Sequence, residues 1–167
     1  KHMANFAANL TMLFTELPFM DRFEAAHNAG FTYVEFLFPY AFDVEEIVEK
    51  LERYNLQVVL FNMPPGDWDA GERGFAAIPG REDEFRASVD VALYYAQKLG
   101  CKQIHAMSGI IDQTVSYEKH VETFIKNFRF AADAFDKEGI TLLVEPLNQR
   151  NMPGYFVSHQ RKAAELI

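Results

Sequence analysis

The sequence predicts an α/β protein with a parallel sheet, and more specifically the first five strand and helix units of a (βα)₈ barrel. Segments with apolar residues at helical spacing alternate with compact apolar runs of strand length. The helical segments end at residues suited to a left-handed backbone, and a strand follows each one: Gly30, Asn55, Gly100 and Gly139. Strands that alternate with helices imply right-handed crossovers and a parallel sheet covered by helices.

Local patterns predict the individual elements. The predicted strands are 6–10, 33–36, 57–62, 103–107 and 141–145. The first helix is expected to start near Pro18, because a first helical turn does not need the missing N–H. The second follows Asp43, which has Glu46 three residues later in a capping-box pattern. The third and fourth carry apolar stripes that begin at Phe85 and Val121.

An open, doubly wound sheet would satisfy the same alternation, but two observations favour a barrel. The turn after the first strand, at Asn9 to Leu13, contains no Gly-rich phosphate-binding pattern. In addition, polar residues recur at the carboxyl ends of the strands, where barrels assemble their active sites. These residues are Asn9, Glu35, Asn62, His105 and Glu145.

The length predicts only part of a barrel. A complete barrel typically takes about 250 residues, whereas this sequence has 167 and no helix-stop signal at its end. Residues 4–167 are therefore predicted to be the N-terminal portion of a single barrel domain. Residues 1–3 match no periodic pattern and are interpreted as a cloning remnant.

Composition narrows the classes of function. The formal net charge of -8 argues against a nucleic-acid partner, because such binding needs clustered Lys and Arg. No apolar run reaches the roughly 20 residues of a membrane helix, so no membrane partner is expected. The single cysteine, Cys101, cannot form an intramolecular disulfide, which favours a cytoplasmic location.

Glu145 is the strongest candidate for chemistry. It follows an apolar strand and precedes Pro146, which ends that strand. A carboxylate in this position has to be paired or bound to a metal, and a divalent cation would suit it. A structural ion pair with an Arg or Lys is an equally weighted alternative from spacing alone.

The segment 62–80 is a long loop rich in Gly and Pro, and ordered loops of this length are usually functional. It contains Trp68 and Arg73, and the Arg73 guanidinium could clamp a substrate carboxylate. A salt bridge to a neighbouring acid is the alternative for Arg73. Asn62 could line the pocket or could cap neighbouring backbone. His105 could point into the mouth of the barrel or could be a hydrogen-bonded core residue. Three histidines on predicted helices are expected to face solvent: His27, His120 and His159.

Several blocks carry a family resemblance. They are 8–14, 34–40, Gly-Asp-Trp at 66–68, Gly-Glu-Arg-Gly at 71–74, 78–86, and Val-Glu-Pro-Leu-Asn at 144–148 followed by Pro-Gly-Tyr at 153–155. With these blocks the chain resembles the hydroxypyruvate isomerase family of xylose-isomerase-like TIM barrels. The loop motifs between 66 and 74 are the specific ones.

The resemblance implies an isomerase that interconverts hydroxypyruvate and tartronate semialdehyde, or a similar 2-keto acid such as 2-oxotetronate, through an enediol or enediolate. Two opposed carboxylates and a divalent metal, Mg²⁺ or Mn²⁺, serve this chemistry. Glu145 matches the first carboxylate and a metal ligand, and the second is expected beyond Ile167. The predicted substrate-binding residues are Asn62, Trp68, Arg73, His105 and Asn148.

The expected partners are a small keto or hydroxy acid and further copies of the chain in a homo-oligomer. Two alternatives remain open. One is a sugar or keto-sugar epimerase on the same barrel, because fold does not choose substrate. The other is a catalytically incomplete barrel fragment that associates with itself through unpaired strand edges.

Overall fold

A computed structural model describes residues 6–144 of the chain. Within this range the elements follow one another in the order β1 (Ala7–Asn9), a 3₁₀ turn (Phe19–Asp21), α1 (Arg22–Asn28), β2 (Tyr33–Glu35), α2 (Val44–Arg53), β3 (Gln57–Asn62), α3 (Glu82–Leu99), β4 (Gln103–Ala106), α4 (Tyr117–Lys137) and β5 (Thr141–Val144). The predicted alternation of strands and helices is confirmed, and within the described residues β1, β2 and β4 are one or two residues shorter than predicted.

The five described strands form one parallel sheet in the order β1-β2-β3-β4-β5. This sequential order separates the two predicted architectures. A doubly wound sheet reverses its strand order at a switch point, whereas a barrel adds each strand beside the previous one. Neighbouring helices pack on each other in chain order, from α1 to α4. The described part of the chain therefore forms the first five strands of a (βα)₈ barrel.

The hydrophobic core lies between the helices and one face of the sheet. Strand side chains on this face are almost fully buried: Ala8, Val34, Val58, Phe61 and Ile104. They join the buried stripes of the helices in a single cluster, which includes Phe23, Ile47, Val89, Phe124 and Phe135. Because successive side chains of a strand point to opposite faces, the residues between them lie on the concave face of the sheet.

The register between β2 and β3 changes by one residue. Val34 is opposite Val58, but the next residue, Glu35, is opposite Leu60, so Val59 has no partner of its own on β2. One extra residue in a strand is the signature of a β-bulge. Beyond the bulge, Phe61 is opposite the buried Ile104.

The helix ends follow the predicted chemistry. The four residues at the predicted left-handed positions all have positive φ: Gly30, Asn55, Gly100 and Gly139. Asp43 caps α2 as predicted, although its side chain accepts from the backbone N–H of Glu45 at 2.8 Å, not from that of Glu46. The start of α1 was predicted near Pro18 but lies at Arg22, because a 3₁₀ turn intervenes. Across residues 6–144, no helix combines the length and apolar character needed to cross a membrane.

Candidate active site

A polar pocket lies at the carboxyl ends of the first four strands. Its polar lining consists of Asn9, Glu35, Asn62 and His105, one residue from each strand. The sheet register places Asn9 beside Glu35 and Asn62 beside His105. The pocket lies on the concave face, opposite the hydrophobic core, at the position where barrel enzymes build their sites.

Asn62 is buried, and its backbone is held on three sides. Its N–H donates to the carbonyl of Leu37 at 2.8 Å, and the next N–H, of Met63, donates to the carbonyl of His105 at 2.7 Å. The Tyr40 hydroxyl donates to the carbonyl of Asn62 at 2.5 Å. Burial raises the pKa of Tyr40 well above its usual range, so the phenol keeps its proton and remains a donor. This fixed backbone presents the Asn62 amide to the pocket.

Asn9 and Glu35 form the other half of the pocket. The Asn9 Oδ1 accepts from the N–H of Thr11 at 3.0 Å, which leaves the amide N–H groups of Asn9 available as donors. Thr11 in turn accepts from the N–H of Leu37 through Oγ1 at 2.9 Å. Glu35 is half-buried and makes no ion pair within residues 6–144. Its carboxylate can accept from a hydroxyl group and would repel an anion.

The loop between β3 and α3, residues 63–81, is organised by Glu72. Its carboxylate accepts from the backbone N–H of Asp67 and forms an ion pair with Arg81, which also pairs with Glu84 at 2.7 Å. Sequence reasoning missed this role of Arg81, although an acid and a base flanking a Gly-rich loop could have indicated it.

Trp68 and Arg73 contact each other in this loop. The guanidinium of Arg73 stacks on the Trp68 ring, with 3.6 Å between its carbon and the ring centroid. The same group donates to the carbonyls of Trp68 and Glu72. Arg73 lines a groove with Arg81 and not the pocket of Asn62 and His105. Its side chain is thus held by stacking on an aromatic ring, and the ion pair of this loop belongs to Arg81.

His120 does not face solvent, and that prediction is wrong. It is fully buried at 0% exposure, with Nδ1 2.8 Å from the carbonyl of Ala77 and Nε2 3.1 Å from the carbonyl of Asp112. Position 120 lies on the buried stripe of α4, four residues before Phe124, and this spacing was the available signal. His27 is exposed on α1, as predicted.

A sequence model of the xylose isomerase-like TIM barrel family matches residues 23–167. The chain belongs to this family. Among curated relatives, 2-oxo-tetronate isomerase of Haemophilus influenzae is 47% identical to this chain over 165 residues. The alignment covers 99% of this chain and 64% of the relative. Identity and both coverages are the same for hydroxypyruvate isomerase of Escherichia coli.

Among solved structures, the crystal structure of AP endonuclease, family 2, from Brucella melitensis superposes with a TM-score of 0.94 at 59% identity. That alignment covers 98% of this chain and 63% of the other. The chain thus spans less than two thirds of the length of these relatives. Its fold as a xylose isomerase-like TIM barrel is established.

Two predicted site residues of this xylose isomerase-like barrel, Glu145 and Asn148, lie outside the described residues. Between residues 6 and 144, no group of three His, Cys, Asp or Glu side chains is arranged to hold a metal ion. The described pocket contains hydrogen-bond donors and one carboxylate, and the residues between 6 and 144 do not by themselves form a metal centre.

Acid is expected to loosen the loop that carries Trp68. The hydrogen bond from Arg81, followed by that from Asp67, lowers the pKa of Glu72 below its usual value of about 4.3. A carboxyl group with a lowered pKa stabilises the fold fully at pH values above its usual, unfolded-state pKa. This stabilisation is lost as the pH falls through the folded-state pKa. Because the ion pair of Glu72 and Arg81 is partly exposed, its contribution to the free energy of unfolding is about 0–1 kcal/mol.

Fluorescence of Trp68, measured between about pH 5 and pH 3, would follow this loosening, with Trp68→Phe as the blank. Glu72→Gln should remove the change, whereas Glu49→Gln, in an exposed pair with Arg53, should keep it. A Glu72→Gln protein with the same acid transition as the wild type would contradict the assignment.

Proposed function

We propose that the complete protein is an isomerase of small 2-keto acids, which interconverts hydroxypyruvate and tartronate semialdehyde or acts on 2-oxotetronate. The observation that carries the proposal is the pocket of Asn9, Glu35, Asn62 and His105 at the carboxyl ends of the strands. The names of the two isomerase relatives give its chemical direction.

The reaction moves one proton between adjacent carbons and one between their oxygens, with no net oxidation. In our proposal Glu145 is the carboxylate that removes or returns the carbon-bound proton, and the intermediate is an enediol or enediolate. Hydrogen-bond donors placed near the oxygens stabilise the negative charge that develops there. We assign this role to Asn9, Asn62 and His105, which line the pocket.

Charge orients the substrate within this proposal. Glu35 disfavours a carboxylate beside β2 and favours a hydroxyl, because like charges repel and a carboxylate accepts a hydrogen bond. The substrate carboxylate would then lie away from Glu35. We assign its binding to Asn148 and to Arg73, which in this structure lines a separate groove and would have to turn from Trp68 toward the pocket.

A divalent metal, Mg²⁺ or Mn²⁺, is part of the proposal, with Glu145 as one ligand. Such an ion would polarise the substrate oxygens when bound. We further propose a cytoplasmic location and assembly into a homo-oligomer.

A DNA-repair function is the second candidate, because the crystal structure at 59% identity is that of an AP endonuclease, family 2. The net charge of -8 weighs against it, since DNA binding requires neutralisation of phosphates by basic side chains. The keto-sugar epimerase and the self-associating fragment have weaker support, because the two relatives at 47% identity are named as isomerases of small keto acids.

The proposal predicts a ranking of substrates for the complete polypeptide. Hydroxypyruvate or 2-oxotetronate should be isomerised with a kcat/KM about 10²-fold or more above that of neutral ketoses, because a site built for a polar group strongly rejects substrates that lack it. Turnover can be followed by NMR of the products. Cleavage of abasic DNA without isomerisation of either keto acid would overturn the proposal in favour of DNA repair.

A further inference from the structure

Two buried polar residues of α4 hold consecutive carbonyls of the β3–α3 loop. His120 lies 2.8 Å from the carbonyl of Ala77, and the Asn127 amide donates to the carbonyl of Ala76 at 2.9 Å. Asn127 is 1% exposed, and its Oδ1 has no partner among residues 6–144. Since only its N–H group is paired, the contact with Ala76 accounts for the presence of an amide at this buried position.

His120 also contacts a second loop. Its Nε2 lies 3.1 Å from the carbonyl of Asp112, in the β4–α4 loop formed by residues 107–116. The imidazole is therefore placed between carbonyls of the two loops that follow β3 and β4. Both partners are carbonyl oxygens, which only accept hydrogen bonds.

Proton counting distinguishes the two charge states of this ring. A neutral imidazole has one N–H and can satisfy only one of the two carbonyls, whereas an imidazolium donates to both. At a fully buried position, the contact left without a proton places a nitrogen lone pair against a carbonyl oxygen. Loss of one proton therefore weakens the connection between the loops.

The groups that face His120 from each packed element are few. Segment 74–80 of the β3–α3 loop has no ionisable side chain. The β4–α4 loop contributes Asp112, whose pKa is lowered chiefly by hydrogen bonds from Thr114 and to a lesser extent by the charge of His120. On α4 itself, Glu118 is exposed, and Lys119 pairs with Glu122 at 3.6 Å. The surroundings thus place one carboxylate on the Asp112 side of the ring.

The two contacts act at the base of the loop that carries Arg73. The N–H of Ala77 donates to the carbonyl of Ser108 at 2.8 Å, and Gly74 forms an isolated bridge with the same residue. The β3–α3 and β4–α4 loops are consequently joined at the level of Gly74 and Ala77. Arg73 directly precedes this junction.

We propose that His120 is a positioning residue, which in its doubly protonated form ties the β3–α3 loop to the β4–α4 loop and thereby sets the affinity for the substrate carboxylate. The junction rests on the geometry of His120, and its effect on affinity rests on the proposed function. Asn127 provides a second contact to the same loop that does not depend on a proton.

The first test measures the junction without any substrate, in the complete polypeptide. NMR of the His120 ring, recorded from about pH 5 to pH 8, should show N–H groups on both nitrogens where the two loops are joined, and on one nitrogen where the connection is weakened. Amide exchange at Gly74 and Ala77, corrected for its intrinsic pH dependence, should be faster by roughly tenfold or more when the ring carries a single N–H. His27→Gln, at an exposed helical histidine, should keep this behaviour.

Two matched variants separate the contacts. In His120→Asn the amide nitrogen takes the place of Nδ1 and can still reach Ala77, whereas in His120→Gln it takes the place of Nε2 and can still reach Asp112. Neither variant should retain the pH dependence of exchange. For isomerisation, His120→Gln should raise KM by roughly tenfold with kcat changed by less than about twofold, since this binding is uniform through the reaction. His120→Asn should lie closer to the wild type.

A ring with a single N–H from pH 5 to pH 8 would overturn the proposal, and this measurement uses only the wild type, so it decides even where a variant fails to fold. Exchange that follows pH in His120→Asn and His120→Gln as it does in the wild type would also overturn it. If the wild type has no isomerase activity, the proposed function fails, while the ring and exchange measurements still decide the role of His120.

Discussion

Glu145→Gln is expected to remove nearly all isomerase turnover of the complete protein. An amide cannot accept the carbon-bound proton, and general acid–base groups typically contribute about 10²–10⁴-fold to a rate. The loss should appear in kcat and kcat/KM together, since the interaction is made in the transition state. The variant should keep its fold, because Gln is close to Glu in size and shape.

The matched control is Glu138→Gln, which changes an exposed carboxylate directly after α4 and should leave turnover unchanged. Titration of Mn²⁺ into the metal-depleted proteins gives an independent measurement, since the loss of a ligand should weaken binding in Glu145→Gln alone. Turnover of Glu145→Gln at the wild-type rate would refute the catalytic assignment.

Gly74→Ala is expected to be the most destabilising small substitution in the β3–α3 loop. Gly74 is buried with φ of +82°, and a Cβ there would lie under 3.0 Å from the backbone carbonyl of Met107. The strain of a left-handed backbone adds to the overlap with an atom that cannot move alone, for a total of about 2–5 kcal/mol. The free energy of unfolding in denaturant measures this loss.

Gly71→Ala separates the two causes. Its φ of +97° is equally restrictive, but a Cβ there would meet nothing within 4 Å. It should therefore lose only the conformational part, about 1–2 kcal/mol. Equal losses in the two variants would show that the contact with Met107 contributes nothing.

Most of the fold could be predicted because local patterns determine it. Gly30, Asn55, Gly100 and Gly139 end helices or begin turns with positive φ, and such positions can be recognised without tertiary information. The carboxyl ends of parallel strands meet at one edge, so the proximity of Asn62 and His105 followed from topology. Strand ends were less certain: Phe6 was placed in the first strand but is 73% exposed before Ala7.

The contacts of the long loop could not be predicted from the sequence. Arg73 and Arg81 flank the same glycines, and only the folded loop determines which of them pairs with Glu72. His120 was assigned to solvent because a histidine on a helix is usually exposed. In the fold, the helix packs there against loop carbonyls, which require donors and not apolar side chains.

The unpaired Val59 determines which side chains of β3 point to the helices and which point to the concave face. Ahead of it Val58 points to the helices, and after it Leu60 and Asn62 share the concave face with Glu35 and His105. Without the bulge, side chains would alternate strictly along β3 from Val58 onward. Phe61 would then lie on the concave face, and Asn62 would point into the apolar layer. A single intercalated valine thus decides which of two neighbouring residues, one aromatic and one polar, is presented to a substrate.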